Sequence, residues 1–309
     1  MIIGLDVGGT KALGLAVDPE RGDIVGRARR SSVGSPQELL STLTELIEEL
    51  GGYGSPLSVG IGIAGLVTRE GVVRYSPNLP DLIEFPVADA LAAATGLPVT
   101  ATNDATAGTW AEARLGAGRG ADDFMYVALG TGIGAGFVVN GQLLLGAHGF
   151  AGEVGHMVIN ASGPAHITGQ QGPWEYYASG NALGRLGREA AANGRFPAGV
   201  ARVDEIDDLT GHHLVELMRS GDSDAMAIFD ELCREVARGI TNLLMTLDSS
   251  RVVIGGGLAD IGDPLRAGID YWLGELLLGI DHRPRPNVVL AELGSDAAAL
   301  GAALLAADV

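Results

Sequence analysis

Cysteine is nearly missing from this chain: Cys233 stands alone among 309 residues. That excludes an intramolecular disulfide framework and any multi-cysteine metal site. It lies in the helix-patterned run AMAIFDELCREVARGITNLLMTL and reads as a buried thiol. Basic side chains are scarce too, 20 against 38 acidic, for a net charge of −18. Phosphate backbones need basic patches, so this balance argues against a nucleic-acid partner. It leaves a nucleotide open, because backbone amides and a cation bind phosphate locally. No membrane span is expected. Residues 124–152 lack Asp, Glu, Lys and Arg, but they contain Asn140-Gly141, a hairpin signal, and recurring glycines. No secretory signal is expected either, since the first strand starts at Ile2. The chain reads as cytoplasmic. Three motifs are absent: the G-x-x-x-x-G-K-[ST] P-loop, the G-x-S-x-G elbow and the H-E-x-x-H helix.

Three strand-to-glycine turns are present. IIGLDVGGTK, residues 2–11, runs a short apolar strand into Asp6 and then Gly8-Gly9-Thr10-Lys11. Adjacent glycines let backbone N–H groups approach an anion, and a strand-end carboxylate suits a hydrated Mg²⁺. MYVALGTGIGAG carries the second, Gly130-Thr131-Gly132-Ile133-Gly134, 122 residues after Gly8. VVIGGGLAD, from Val252, carries the third. Long, similar separations point to two related halves around one phosphate-bearing ligand rather than to a short-period solenoid. Residues 130–135 also fit the G-x-G-x-x-A dinucleotide fingerprint, which requires a helix next. FVVNGQLLL follows instead, a hairpin pattern.

Strands are expected at 2–7, 12–18, 24–29, 57–63, 98–102, 124–129, 135–139, 142–145, 251–254 and 287–291. A Glu20–Asp23 turn joins the second and third. Helices are expected at 36–50, 87–95, 104–115, 175–193, 203–208, 211–219, 222–248, 263–278 and 295–306. Strands alternating with helices indicate an α/β protein. At this length two lobes are the natural prior.

Asn103-Asp104 ends a strand and opens a helix. Asp104 is then either an N-cap or a carboxylate able to take a proton from a hydroxyl. Glu153 and His156, three apart in a glycine-rich loop, read as metal ligands, a sugar-hydroxyl clamp or satisfied loop polars. Glu175 opens a helix, where a carboxylate is favoured anyway. Asn78 lies in the proline-bounded SPNLP loop.

The ordered set DVGGTK, GIAG, SPNLP, TNDATAG, LGTGIGAG, GEVGHM, G-x-x-G-x-x-E, YASG and IGGGL spans nearly the whole chain. It resembles the ROK family of sugar kinases and repressors, within the actin/hexokinase superfamily. The resemblance implies a two-lobed actin-like ATPase (ribonuclease H-like) α/β fold with a cleft between lobes. The lobes would be 1–112 plus 295–309, and 113–294. It implies transfer of the ATP γ-phosphoryl to a hexose hydroxyl, usually O6, with Mg²⁺ as cofactor. Polyphosphate use occurs among relatives. A homodimer is implied, with no nucleic acid and no membrane.

Carried over by position, Gly8, Gly9, Thr10 and Lys11 resemble the first phosphate element, and Gly130, Thr131, Gly132 and Gly134 the second. Gly255, Gly256 and Gly257 resemble the adenosine element. Asp6 would sit near magnesium, through water. Gly65, Asn78, Asn103, Glu153, His156 and Glu175 resemble the sugar contacts, and Asp104 the catalytic base and a further substrate contact.

One departure is sharp. Many members carry C-x-C-G-x-x-G-C-x-E, whose thiolates join a histidine on zinc. Here the stretch is His166-Ile167-Thr168-Gly169-Gln170-Gln171-Gly172-Pro173-Trp174-Glu175, with no thiol. A structural zinc wants four N/S ligands, so none is expected. A weak site from His156 and His166 is the competing expectation. Cysteine loss occurs among some N-acetylmannosamine and other amino-sugar kinases of the family. The substrate expected is therefore an N-acetylhexosamine (N-acetylglucosamine or N-acetylmannosamine) or glucose. The alternative is a sugar-binding regulator without kinase activity. Family repressors carry an N-terminal helix-turn-helix, whereas this chain opens on its first strand.

Overall fold

The computed structural model describes residues 1–19, 21–166 and 168–307. Glu20 of the expected turn, Ile167 of the cysteine-less stretch, and Asp308 and Val309 lie outside the described residues. Two compact units are present. One comprises Met1–Tyr126, Ala135–Gly152 and the chain from Ala291; the other comprises Val127–Gly134 and Glu153–Leu290.

In chain order the elements are β1 (Ile2–Val7), β2 (Lys11–Val17), β3 (Ile24–Ser31), α1 (Pro36–Leu50), β4 (Val59–Ile63), β5 (Leu66–Val67), β6 (Val73–Tyr75), α2 (Val87–Thr95), β7 (Val99–Asn103) and α3 (Asp104–Leu115). Then come β8 (Phe124–Leu129), β9 (Ile133–Val139), β10 (Gln142–Leu143), α4 (Trp174–Ala178), α5 (Gly180–Ala192), α6 (Pro197–Val200), α7 (Gly211–Arg219), α8 (Ser223–Leu247), β11 (Arg251–Gly255), α9 (Asp263–Leu276), β12 (Asn287–Leu290) and α10 (Ala297–Ala307).

The first sheet is ordered β3-β2-β1-β4-β7 and the second β10-β9-β8-β11-β12. Each is a three-strand run extended by two later strands on the side of its first strand. The repeated glycine turns thus follow a repeated strand order. In the first sheet β1, β4 and β7 are parallel, with Asp6 opposite Gly62 and Ile63 opposite Asn103. Their carboxyl ends therefore share one edge, where ligands of open α/β sheets bind.

Helix α1 shows how the sequence builds this unit. Ser35 caps it in a reciprocal box with Glu38, and Pro36 presets the first turn. Leu39, Leu43, Leu46, Ile47 and Leu50 fall on one face and are buried against Leu5, Val7, Ile61 and Ile63. Each such side chain contributes about 1.5–3 kcal/mol. On the other sheet face α10 lies closer than a side chain would permit. A Cβ on Gly60 would stand 1.8 Å from the Ala302 carbonyl oxygen, and one on Gly301 1.8 Å from that of Ala107. Small residues at these crossings let backbone meet backbone.

Four expectations change. The helix expected over 175–193 breaks at Ser179, which caps α5 by accepting from Ala182 N. The helix expected over 203–208 is a 3-10 turn at Ile206–Asp208 only. The β5–β6 hairpin and α6 fall where no element was expected. Among the described residues no helix is long and apolar enough to cross a membrane.

Candidate functional site

In the first unit the residues at the shared sheet edge are held by backbone pairing. The Gly8 N–H donates to the Lys11 carbonyl at 3.0 Å, closing the turn. Buried Ser32 braces it from β3's end, its hydroxyl donating to the Gly8 carbonyl at 2.5 Å. Asn78 packs its backbone on the same turn: a Cβ on Gly9 would meet the Asn78 carbonyl oxygen at 2.9 Å. The Asn78 side chain is exposed, as are Thr10 and Lys11. Ser32 carried no signal in the sequence, because only the β2–β3 register brings it to the turn.

Asn103, not Asp104, caps α3. Its Oδ1 accepts from Ala105 N at 2.9 Å and Thr106 N at 3.1 Å, and its Nδ2 donates to the Gly65 carbonyl at 3.2 Å. Asp104 is the first helical residue, and its Oδ1 accepts from Ala105 N at 2.9 Å. Asp104 is half-buried, and the cap role falls to Asn103. Burial raises the Asp104 pKa above the usual aspartate value, against backbone hydrogen bonds that lower it. Burial, and then the nearby Asp104 charge, push Asp6 up to about 7. Burial and a like charge nearby both favour the protonated carboxyl.

In the second unit Gly130 N donates to the Gly132 carbonyl at 2.9 Å, and the Gly130 carbonyl accepts from Gly180 N at the head of α5 at 2.7 Å. Glu175, second residue of α4, accepts from Ile133 N at 2.7 Å through Oε2. A Cβ on Gly132 would stand 2.2 Å from that oxygen, so glycine is required for the carboxylate to reach the turn. Thr131 is exposed and Gly134 lies within β9. At the third glycine element Gly255 ends β11 and Gly256 rests on the backbone of Leu129, while Gly257 faces open space. Glu153 and His156 flank one 3-10 turn, with Oε2 and Nε2 3.9 Å apart. The His156 carbonyl accepts from Gln170 Nε2 at 2.6 Å.

The first unit therefore brings Asp6, Gly8, Gly9, Gly65, Asn78, Asn103 and Asp104 to one region. The second brings together the Gly130–Gly134 turn, Glu175 and His166. Among the described residues, no three His, Cys, Asp or Glu side chains gather as a metal site.

Repeated sheets ending in glycine turns, with a carboxylate at a helix head, are the parts of an actin-like ATPase fold, and the similar proteins make this chain a hexokinase-type sugar kinase. The chain belongs to the ROK family, whose sequence profile, described as "ROK family", matches residues 2–309. It is 34% identical to a glucokinase of Streptomyces coelicolor over 316 residues, covering 100% of this chain and 98% of the relative. It is 30% identical to an N-acetylmannosamine kinase of Shigella flexneri, covering 99% and 98%. A crystal structure of a ROK family glucokinase from Streptomyces griseus, in complex with glucose and AMPPNP, superposes with a TM-score of 0.89. The two are 35% identical, with 100% of this chain and 99% of that one covered.

Proposed function

We propose that this kinase moves the γ-phosphoryl group of ATP to O6 of a hexose, with glucose the first candidate. The carrying observation is Asp104: a carboxylate at a helix head, spared from capping by Asn103, with its pKa raised by burial. A base of that kind accepts the hydroxyl proton as the sugar oxygen attacks phosphorus. The O–H bond breaks to Asp104, a P–O bond forms to the sugar, and the β,γ-bridge electrons leave with ADP. Gly65, Asn78, Asn103, Glu153, His156 and Glu175 are assigned to the sugar hydroxyls. The turns of Gly8, Gly9, Thr10 and Lys11 and of Gly130, Thr131, Gly132 and Gly134 are assigned to the phosphates, and Gly255–Gly257 to the adenosine.

Asp6 fits a magnesium ion on chemical grounds, because its crowded carboxylate gains by a neighbouring cation. With one protein carboxylate, most of the ion's ligands would be water and phosphate oxygen. When bound, Mg²⁺ neutralises charge on the transferring phosphate.

Glucose is supported by the glucokinase relatives. A second reading, an N-acetylhexosamine, is favoured by the absence of cysteine at 166, 168 and 173. The test is a coupled ADP-release assay with MgATP against glucose, mannose, N-acetylglucosamine, N-acetylmannosamine, fructose and allose. A kcat/KM for glucose at least tenfold above the others is expected. Preference for an N-acetylhexosamine favours the second reading. No turnover on any of the six contradicts both.

A further inference from the structure

Positions 166, 168 and 173 match zinc-binding thiolates of many members of the family, whereas here the described residues around them are held by other contacts. Its glycine frame has a reason of its own. Gly172 has φ of +58° and packs against Asn160, whose carbonyl oxygen a Cβ would meet at 1.8 Å. The loop closes on itself through His166 N to the Gln170 carbonyl at 2.8 Å and a bridge between Ala165 and Gln171. Pro173 serves as N-cap of α4 and pairs with Val158.

Two of these positions, His166 and Thr168, interact with each other and with the site. His166 Nδ1 and Thr168 Oγ1 stand 3.3 Å apart. His166 Nε2 stands 3.4 Å from Glu175 Oε1, with side-chain exposures of 13% and 20%, so solvent screens the pair only partly. The other Glu175 oxygen accepts from Ile133 N at 2.7 Å. With an Nε2–H directed at the carboxylate, Nδ1 accepts from the Thr168 hydroxyl. Thr168, His166, Glu175 and the Ile133 amide form one continuous chain of polar contacts.

We propose that His166 and Thr168 together fix the Glu175 carboxylate and, through it, the second glycine turn. His166 is a positioning residue, not a catalytic one. The proposal rests on the sugar-kinase reading for the part in which Glu175 meets the sugar. Its structural part, the restraint on Ile133, stands apart from that reading.

His166→Ala and Thr168→Val are the test variants; the second alters an exposed side chain and guards against loss of folding in the first. For His166→Ala the sugar KM should rise about tenfold, the size of one lost charge-assisted contact, while kcat stays within about threefold. Thr168→Val should raise KM about threefold, and His166→Gln, which retains a side-chain N–H, should keep it within threefold. Hydrogen exchange at the Ile133 amide should quicken in both His166→Ala and Thr168→Val. Unchanged KM and unchanged exchange in these variants would overturn the proposal, as would a fall in kcat with KM held. If the wild-type protein turned over no hexose, the kinase reading would fail. Faster Ile133 exchange would then still support the brace, and unchanged exchange would sink it.

Discussion

Asp6, near the carboxyl end of β1, and Asp104, just past the carboxyl end of the parallel strand β7, share one edge of the first sheet, and the charge of Asp104 adds to burial in raising Asp6 to about 7. The pair has a direct consequence for stability. Asp6 binds its proton more tightly folded than unfolded, so the folded state loses stability as pH rises from about 4 through about 7. Asp6→Asn removes that dependence. Relative to wild type it should be more stable at pH 8, by at most about 4 kcal/mol, and no more stable at pH 4. Urea unfolding at the two pH values checks this; an equal difference at both would contradict it.

Lys11 is the chain's only lysine, and it is exposed at the first glycine turn. Every Nε-acylation must therefore fall at the assigned phosphate element. Treatment with an amine-acylating reagent should abolish turnover in step with labelling of the Lys11 peptide, followed by mass spectrometry. MgATP should slow both. Complete labelling with full activity would remove Lys11 from the phosphate site.

Glu112 is fully buried, and its carboxylate gathers the backbone of two distant segments. It accepts from Ala117 N at 2.7 Å, from Glu292 N at 3.1 Å and from Leu293 N at 2.9 Å. Glu112→Ala leaves three partly buried backbone donors without their acceptor, which should destabilise the protein by roughly 1–3 kcal/mol. Equilibrium denaturation measures it. A loss below about 1 kcal/mol would mean that water or local movement replaces the carboxylate.

The sequence was most legible where the signals were local. Helix α1 matches its expected bounds because Ser35, Pro36 and the leucine spacing all act within one helix, and α2 and α3 match for similar reasons. The break at Ser179 escaped because helix-forming residues flank it and the cap depends on its backbone conformation. The β5–β6 hairpin is too short for an alternating pattern to register. At the site, glycines and strand-end carboxylates were visible as types. The division of labour between Asn103 and Asp104 was not, since either residue caps helices well. Ser32 beneath Gly8 and His166 beside Glu175 depend on contacts from outside their own segments, and no spacing rule reaches them.

The central claim is that Asp104 removes the proton from the accepting hydroxyl. It is tested most directly by comparing wild type and Asp104→Asn, a near-isosteric change, in steady-state ADP release with the preferred sugar. Sugar binding should be measured alongside by calorimetry. The expected result is a kcat lower by about 10²–10⁴-fold with the sugar Kd changed less than about fivefold. Turnover within a factor of three of wild type, with binding intact, would contradict the account.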